Sequence, residues 1–128
     1  MKLRIRGNFV RLRLTQSEVA RLAETGAVEE TVEFGLRPEQ RFVYALEKAA
    51  GAETVRADFD GGSLRVWIPE AEAEKWTSSN QVGIEARQPL GGEKELQILI
   101  EKDFACLAER PGEDESDAFP NPSEGTAC

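Results

Sequence analysis

The chain has 128 residues, a net charge of -8 and no histidine. Its length fits one domain, and its 40% apolar and 31% charged residues fit an ordinary water-soluble one. The missing histidine excludes histidine-based triads, histidine zinc ligands and the usual general base at neutral pH.

The first fourteen residues read MKLRIRGNFVRLRL. With a period of two, Lys2, Arg4 and Arg6 fall on one face and Leu3 and Ile5 on the other. Gly7-Asn8 suits a two-residue hairpin turn, because glycine accepts positive φ. The expected strands are 2–6 and 9–14, with Arg11 and Arg13 opposed to Val10, Leu12 and Leu14. Next, Thr15-Gln-Ser-Glu18 offers a capping box with Thr15 as N-cap. Val19, Leu22 and Ala23 form an apolar stripe, and Gly26 can end the helix. Alternation resumes over 28–34 and 41–46, with Pro38 marking the turn between them. Tyr44, the single tyrosine, falls on the core face by this register.

The same order then recurs. A shift of 54 residues lays RGNFVRLRLTQSEVARL over DGGSLRVWIPEAEAEKW, and RFVYALEK over ELQILIEK, without a gap. Gly7 meets Gly61, Leu12 meets Val66, Leu22 meets Trp76 and Tyr44 meets Ile98. The second copy predicts strands over 55–60 and 63–68 about Gly61-Gly62. A helix follows from Pro69, then strands over 81–87 and 94–101. The expectation is an α+β, mostly antiparallel fold of about eight strands and two short helices. Two β-β-α-β-β units, residues about 1–50 and about 54–102, would share one core about a pseudo-twofold axis, as a sheet or barrel. Residues 103–128, RPGEDESDAFPNP included, form an acidic, proline-containing tail expected to pack on or near the core.

Charge is unevenly spread. Residues 1–50 carry nine basic and seven acidic side chains, 51–102 carry six and ten, and 103–128 carry one and seven. The first hairpin's register sets Arg4 against Arg11 and Lys2 against Arg13, and like charges directly opposite are destabilising by up to about 1 kcal/mol. The second hairpin sets Asp58 against Arg65 and balances itself. Lys2, Arg4, Arg6, Arg11 and Arg13 are therefore the candidate anion-binding groups. Three sources of the anion are open. Glutamates of an adjoining strand (Glu29, Glu33 or Glu47) are one. The tail is the second, through Glu113, Asp114, Glu115 and Asp117, with Phe119 as an apolar anchor between prolines. An external anionic partner is the third.

Catalytic signatures are missing: no phosphate loop, nucleophile elbow or kinase motif occurs. Cys106, Cys128, Glu113, Asp114, Glu115 and Asp117 lack the spacing of a zinc or EF-hand site, so no metal or cofactor is expected. Phe104 and Leu107 around Cys106 point to a buried, inert thiol. The basic start is not followed by the apolar core of a secretory signal. No apolar run approaches the roughly 18 residues of a membrane span. The expected setting is cytoplasmic, with free cysteines and no membrane.

RLRLTQSEVARLAETGAVEETVEFG, EKDFACL and DAFPNP resemble a bacterial family known only as a domain of unknown function. The resemblance spans nearly the whole chain. It implies that the tail belongs to the domain, and it supplies no activity or catalytic residue. LRVWIPEAEAEKW is more weakly similar to the strand-Ile-Pro-helix opening of AbrB-like transcription factors, which swap hairpins between protomers; LRLTQSEVARL in the first copy lacks the proline.

The reading is a small non-enzymatic binding or regulatory domain. Its cationic hairpin face would meet an unknown protein or small anionic partner and be covered by its own tail; it would be a monomer or homodimer. Two alternatives stand beside it: a thiol- or metal-dependent enzyme around Cys106 and the tail, and an AbrB-like nucleic-acid module. Nucleic acid fits the net charge of -8 poorly.

Overall fold

The computed structural model describes residues 1–105, 117, 119 and 120. The elements run β1 Lys2–Arg6, β2 Phe9–Leu14, α1 Gln16–Thr25, β3 Ala27–Glu33 and β4 Arg41–Ala49. After them come β5 Arg56–Asp60, β6 Ser63–Pro69, α2 Glu70–Ser78, β7 Gly83–Gly91 and β8 Lys94–Lys102. A 3-10 turn, Pro38–Gln40, joins β3 to β4. Among the described residues the fold is α+β, with eight strands in two four-stranded sheets and two helices.

Both hairpins take the expected register. Arg6 faces Phe9, Arg4 faces Arg11 and Lys2 faces Arg13 in one; Asp58 faces Arg65 and Arg56 faces Trp67 in the other. Gly7 at φ 55° and Gly61 at φ 57° sit in the left-handed region that the two turns require. Helix α1 carries the full capping box: the Glu18 backbone N–H donates to Thr15 Oγ1, and the Thr15 backbone N–H donates to Glu18 Oε1 at 2.9 Å. Gly26 ends it at φ 87°. Pro69 is the N-cap of α2.

The sheets are assembled across the repeats. One has the order β1-β2-β8-β7, the other β3-β4-β6-β5. Each joins a hairpin of one repeat to a hairpin of the other, so neither repeat owns a sheet. The joins are parallel, β2 to β8 and β4 to β6, and the other four pairings are antiparallel, so the fold is mostly antiparallel, as expected. A parallel pair needs a long connection: β4 reaches β6 through the loop 50–55 and the edge strand β5, and β2 and β8 are separated by most of the chain.

A single buried cluster draws on both sheets and both helices, including Leu12, Leu14, Leu22, Val28, Leu46, Val66, Ile68, Trp76, Ile98 and Ile100. Leu22 and Trp76, equivalent under the shift of 54, are both fully buried. The Trp76 indole N–H donates to the Val82 carbonyl at 3.2 Å, and the Lys102 ammonium lies 5.6 Å from its ring centre.

Candidate functional site

The polar face of the first hairpin and the outer face of β8 form one surface. Arg11 and Arg13 lie opposite Val10, Leu12 and Leu14 on β2, and the parallel join sets Arg13 beside Glu101. The Glu101 carboxylate takes both guanidiniums on one oxygen: Arg11 Nε lies at 2.7 Å from Oε1 and Arg13 Nε at 2.6 Å. The Arg11 side chain is 6% exposed and that of Glu101 15%, so this is a largely desolvated pairing. Lys2 Nζ meets Asp103 Oδ2 at 2.9 Å, and the Asp103 N–H donates to the Leu14 carbonyl. Arg4, Arg11, Arg13 and Asp103 each make further interactions. Arg6 is exposed and has no ion pair among the described residues.

The anion of the adjoining strand is thus Glu101, not Glu29, Glu33 or Glu47. Those belong to the other sheet, where the cross-repeat assembly places them. Glu29 and Glu47 flank Arg65, at 3.5 and 3.4 Å, and Glu33 meets Arg41 at 3.8 Å. The repeat contains the signal that locates Glu101: Arg65 and Glu47 are the positions of Arg11 and Glu101 shifted by 54.

Around the turn end of the hairpin, Arg4, Arg6, Asn8, Phe9, Arg11, Glu95 and Gln97 line a cleft of about 380 Å3. Three of the five predicted cations therefore converge on one depression, while Lys2 and Arg13 lie outside its lining. Asn8 fixes one wall, donating through Nδ2 to the Glu95 carbonyl at 3.0 Å and accepting from the Gln97 N–H at 2.9 Å. Glu95 is engaged laterally by Arg87 at 3.3 Å. A smaller depression of about 170 Å3, lined by Phe9, Glu85, Ala86, Arg87, Gln97, Ile98 and Leu99, adjoins it and shares Phe9 and Gln97.

A second polar cluster had no sequence signal of its own. The Met1 ammonium is buried against Glu18 Oε2, with Glu30 Oε2 at 3.0 Å. The Tyr44 hydroxyl donates to Glu30 Oε2 at 2.8 Å and lies 3.0 Å from the Met1 carbonyl. Burial opposes the Met1 ammonium, but hydrogen bonds to Glu18 and Glu30 outweigh it and hold its pKa above the usual 8.0. Burial likewise opposes the Glu18 carboxylate, yet hydrogen bonds from that ammonium and from Thr15 keep its pKa below the usual carboxylate range. Tyr44 is pushed up to about 12 by burial and then by Glu30. Under the shift of 54, Met1, Glu30 and Tyr44 correspond to Val55, Ile84 and Ile98, so one half has a polar plug where the other is aliphatic.

Of the tail residues singled out, Glu113, Asp114 and Glu115 lie outside the described residues, as do Cys106 and Cys128. Asp117 is exposed. Phe119 is 95% exposed, so the expected apolar anchoring of its ring is not formed. Among the described residues no group of three or more Cys, Asp or Glu is placed to hold a metal ion, and no helix is long and apolar enough to cross a membrane.

No curated protein and no solved structure matches the chain, so the similarity to AbrB-like domains gains no support. One family model does match. It runs from residue 1 to residue 123, through both sheets and into the acidic tail, and the chain belongs to that family, a family of unknown function (DUF7009).

Proposed function

We propose that this is a cytoplasmic, non-enzymatic binding domain that receives an anionic partner in the cleft of Arg4, Arg6 and Arg11. The observation that carries the reading is the convergence of three guanidiniums from one hairpin on a single depression walled by Phe9, Asn8 and Gln97. Guanidinium forks favour carboxylate and phosphate. The pseudo-twofold equivalents of Arg4 and Arg6 are Asp58 and Asp60, so this cationic face belongs to one half alone.

The acidic tail acts as an internal competitor in this reading. The chain leaves β8 on the cationic surface, where Asp103 is bonded to Lys2 and to Leu14. Between Asp103 and Glu113 lies enough chain, at about 3.3 Å per residue, to reach the cleft. An outside partner must then displace Glu113, Asp114, Glu115 and Asp117, and salt weakens both associations.

The test compares the full-length chain with a full-length variant in which those four acids become amides. A short polyglutamate peptide is titrated into each by calorimetry at low and moderate salt. The amide variant binds more tightly, Arg6→Ala weakens it, and salt weakens it further. Failure of both forms to bind any acidic peptide sinks the proposal.

A further inference from the structure

We infer, resting on the anion-binding reading above, that the ligand is an acidic peptide with an apolar side chain two to three residues from its carboxylate. The argument lies in the two adjoining depressions on the outer face of the β1-β2-β8-β7 sheet. Phe9 and Gln97 are direct partners across the β2–β8 join, and they line both depressions, so the two lie side by side across the strands as a two-part groove.

The two ends of the groove differ in chemistry. Arg4 and Arg6 on β1 make one end cationic; Arg11 on β2 is held by Glu101, and Glu95, held by Arg87, also lines that end. At the other end Phe9 and Leu99 supply apolar wall and Arg87 forms the rim. Glu85 and Arg87 both line that end and offset each other's charge, so a neutral side chain is favoured there. From β1 to β8 is two interstrand spacings, about 10 Å. Three residues of polyproline II chain, one full turn of about 9 Å, cover that span and return the side chain to the same face. A carboxylate on the arginines therefore places an apolar side chain over Phe9 and Leu99.

A nucleic-acid strand fits less well. It presents a phosphate at every step, whereas this groove alternates cation with carboxylate and offers one aromatic ring for stacking. Nor does the chain's own Phe119 fill the apolar end, since its ring is 95% exposed.

The experiment uses the full-length chain and its tail-amide variant, with three fluorescent probes. One is a capped peptide with an aspartate and, three residues on, a phenylalanine. The second replaces that phenylalanine by alanine, and the third is a short single-stranded oligonucleotide. The phenylalanine peptide binds about tenfold tighter than the alanine peptide, the scale of one buried apolar side chain. Phe9→Ala and Leu99→Ser each erase that preference, Phe9→Leu keeps most of it, and Arg6→Ala weakens both peptides. Circular dichroism establishes that each variant is folded. Equal affinity for the two peptides, lowered by Arg6→Ala, overturns the inference and leaves the anion site standing. No binding of either peptide overturns both, and tighter binding of the oligonucleotide overturns the peptide assignment.

Discussion

Arg11 and Arg65 stand at equivalent positions of the two repeats, and each is paired with a glutamate of the other repeat. Arg11 Nε reaches Glu101 Oε1 at 2.7 Å, and Arg65 Nη1 reaches Glu47 Oε1 at 3.4 Å. Each pair bridges a parallel join between hairpins of different repeats. The two differ in solvent: the Arg11 side chain is 6% exposed and that of Arg65 is 36%.

That difference sets unequal costs. Glu101→Gln removes the charge shared by Arg11 and Arg13 in a desolvated place, and is expected to cost about 3 kcal/mol. Glu47→Gln removes a partner from a half-exposed arginine that also has Glu29, and should cost under about 1 kcal/mol. Urea midpoints of the two variants decide the matter, and equal losses would show that exposure does not separate the pairs.

The Met1–Glu18 pair predicts a stability plateau with two falling limbs. Glu18 has a lowered pKa in the fold, so its contribution is present above the ordinary carboxylate range and is lost as pH falls through the lowered value. Met1 has a raised pKa, so its contribution is complete below its ordinary 8.0 and is lost as pH rises through the raised value. Glu18→Gln should lower the plateau by about 2 kcal/mol and flatten the alkaline limb. Urea unfolding across the pH range reads this directly, and an unchanged alkaline limb in the variant would refute the coupling.

Tyr44 is the only tyrosine, so an ultraviolet titration of the folded protein reports it alone. Its midpoint is expected at about 12 instead of 10, because burial and then Glu30 oppose the phenolate. Tyr44→Phe should cost about 1 kcal/mol by leaving the Met1 carbonyl short of a donor, while the half-exposed Glu30 carboxylate turns to water. A midpoint near 10 in the native state would contradict the contact.

Trp76→Ala empties the space under α2 and should cost about 3–5 kcal/mol. Trp76→Leu places there the residue that the first repeat uses at Leu22 and should recover part of the loss. Thermal unfolding of both variants ranks them, and no gain from leucine would mean that the two halves pack their helices differently.

Much of this was legible locally. The Gly7-Asn8 and Gly61-Gly62 turns, the strand registers beside them and the Thr15 capping box depend on neighbours in the chain, and the structure keeps them. The strand ends were less legible: β4 extends to Ala49 and β7 to Gly91, past the alternating stretches, because partner strands continue to offer backbone bonds. The glutamate beside Arg11 was misplaced for a different reason. Glu29, Glu33 and Glu47 are close in sequence to the first hairpin, but proximity in sequence does not say which sheet a strand joins.

By itself, the sequence determined the duplication, the hairpins, the helix caps and a cationic face confined to one half, because turns, caps and alternation are set within a few residues. Only the tertiary structure decided that hairpins of opposite repeats share each sheet, and hence that Glu101 serves Arg11 and Arg13. It alone also brought the Met1 ammonium to Glu18, Glu30 and Tyr44. These pairings join residues far apart in the chain, and two repeats with the same apolar pattern fit either way of combining their hairpins. The choice between them rests on how one common core is filled.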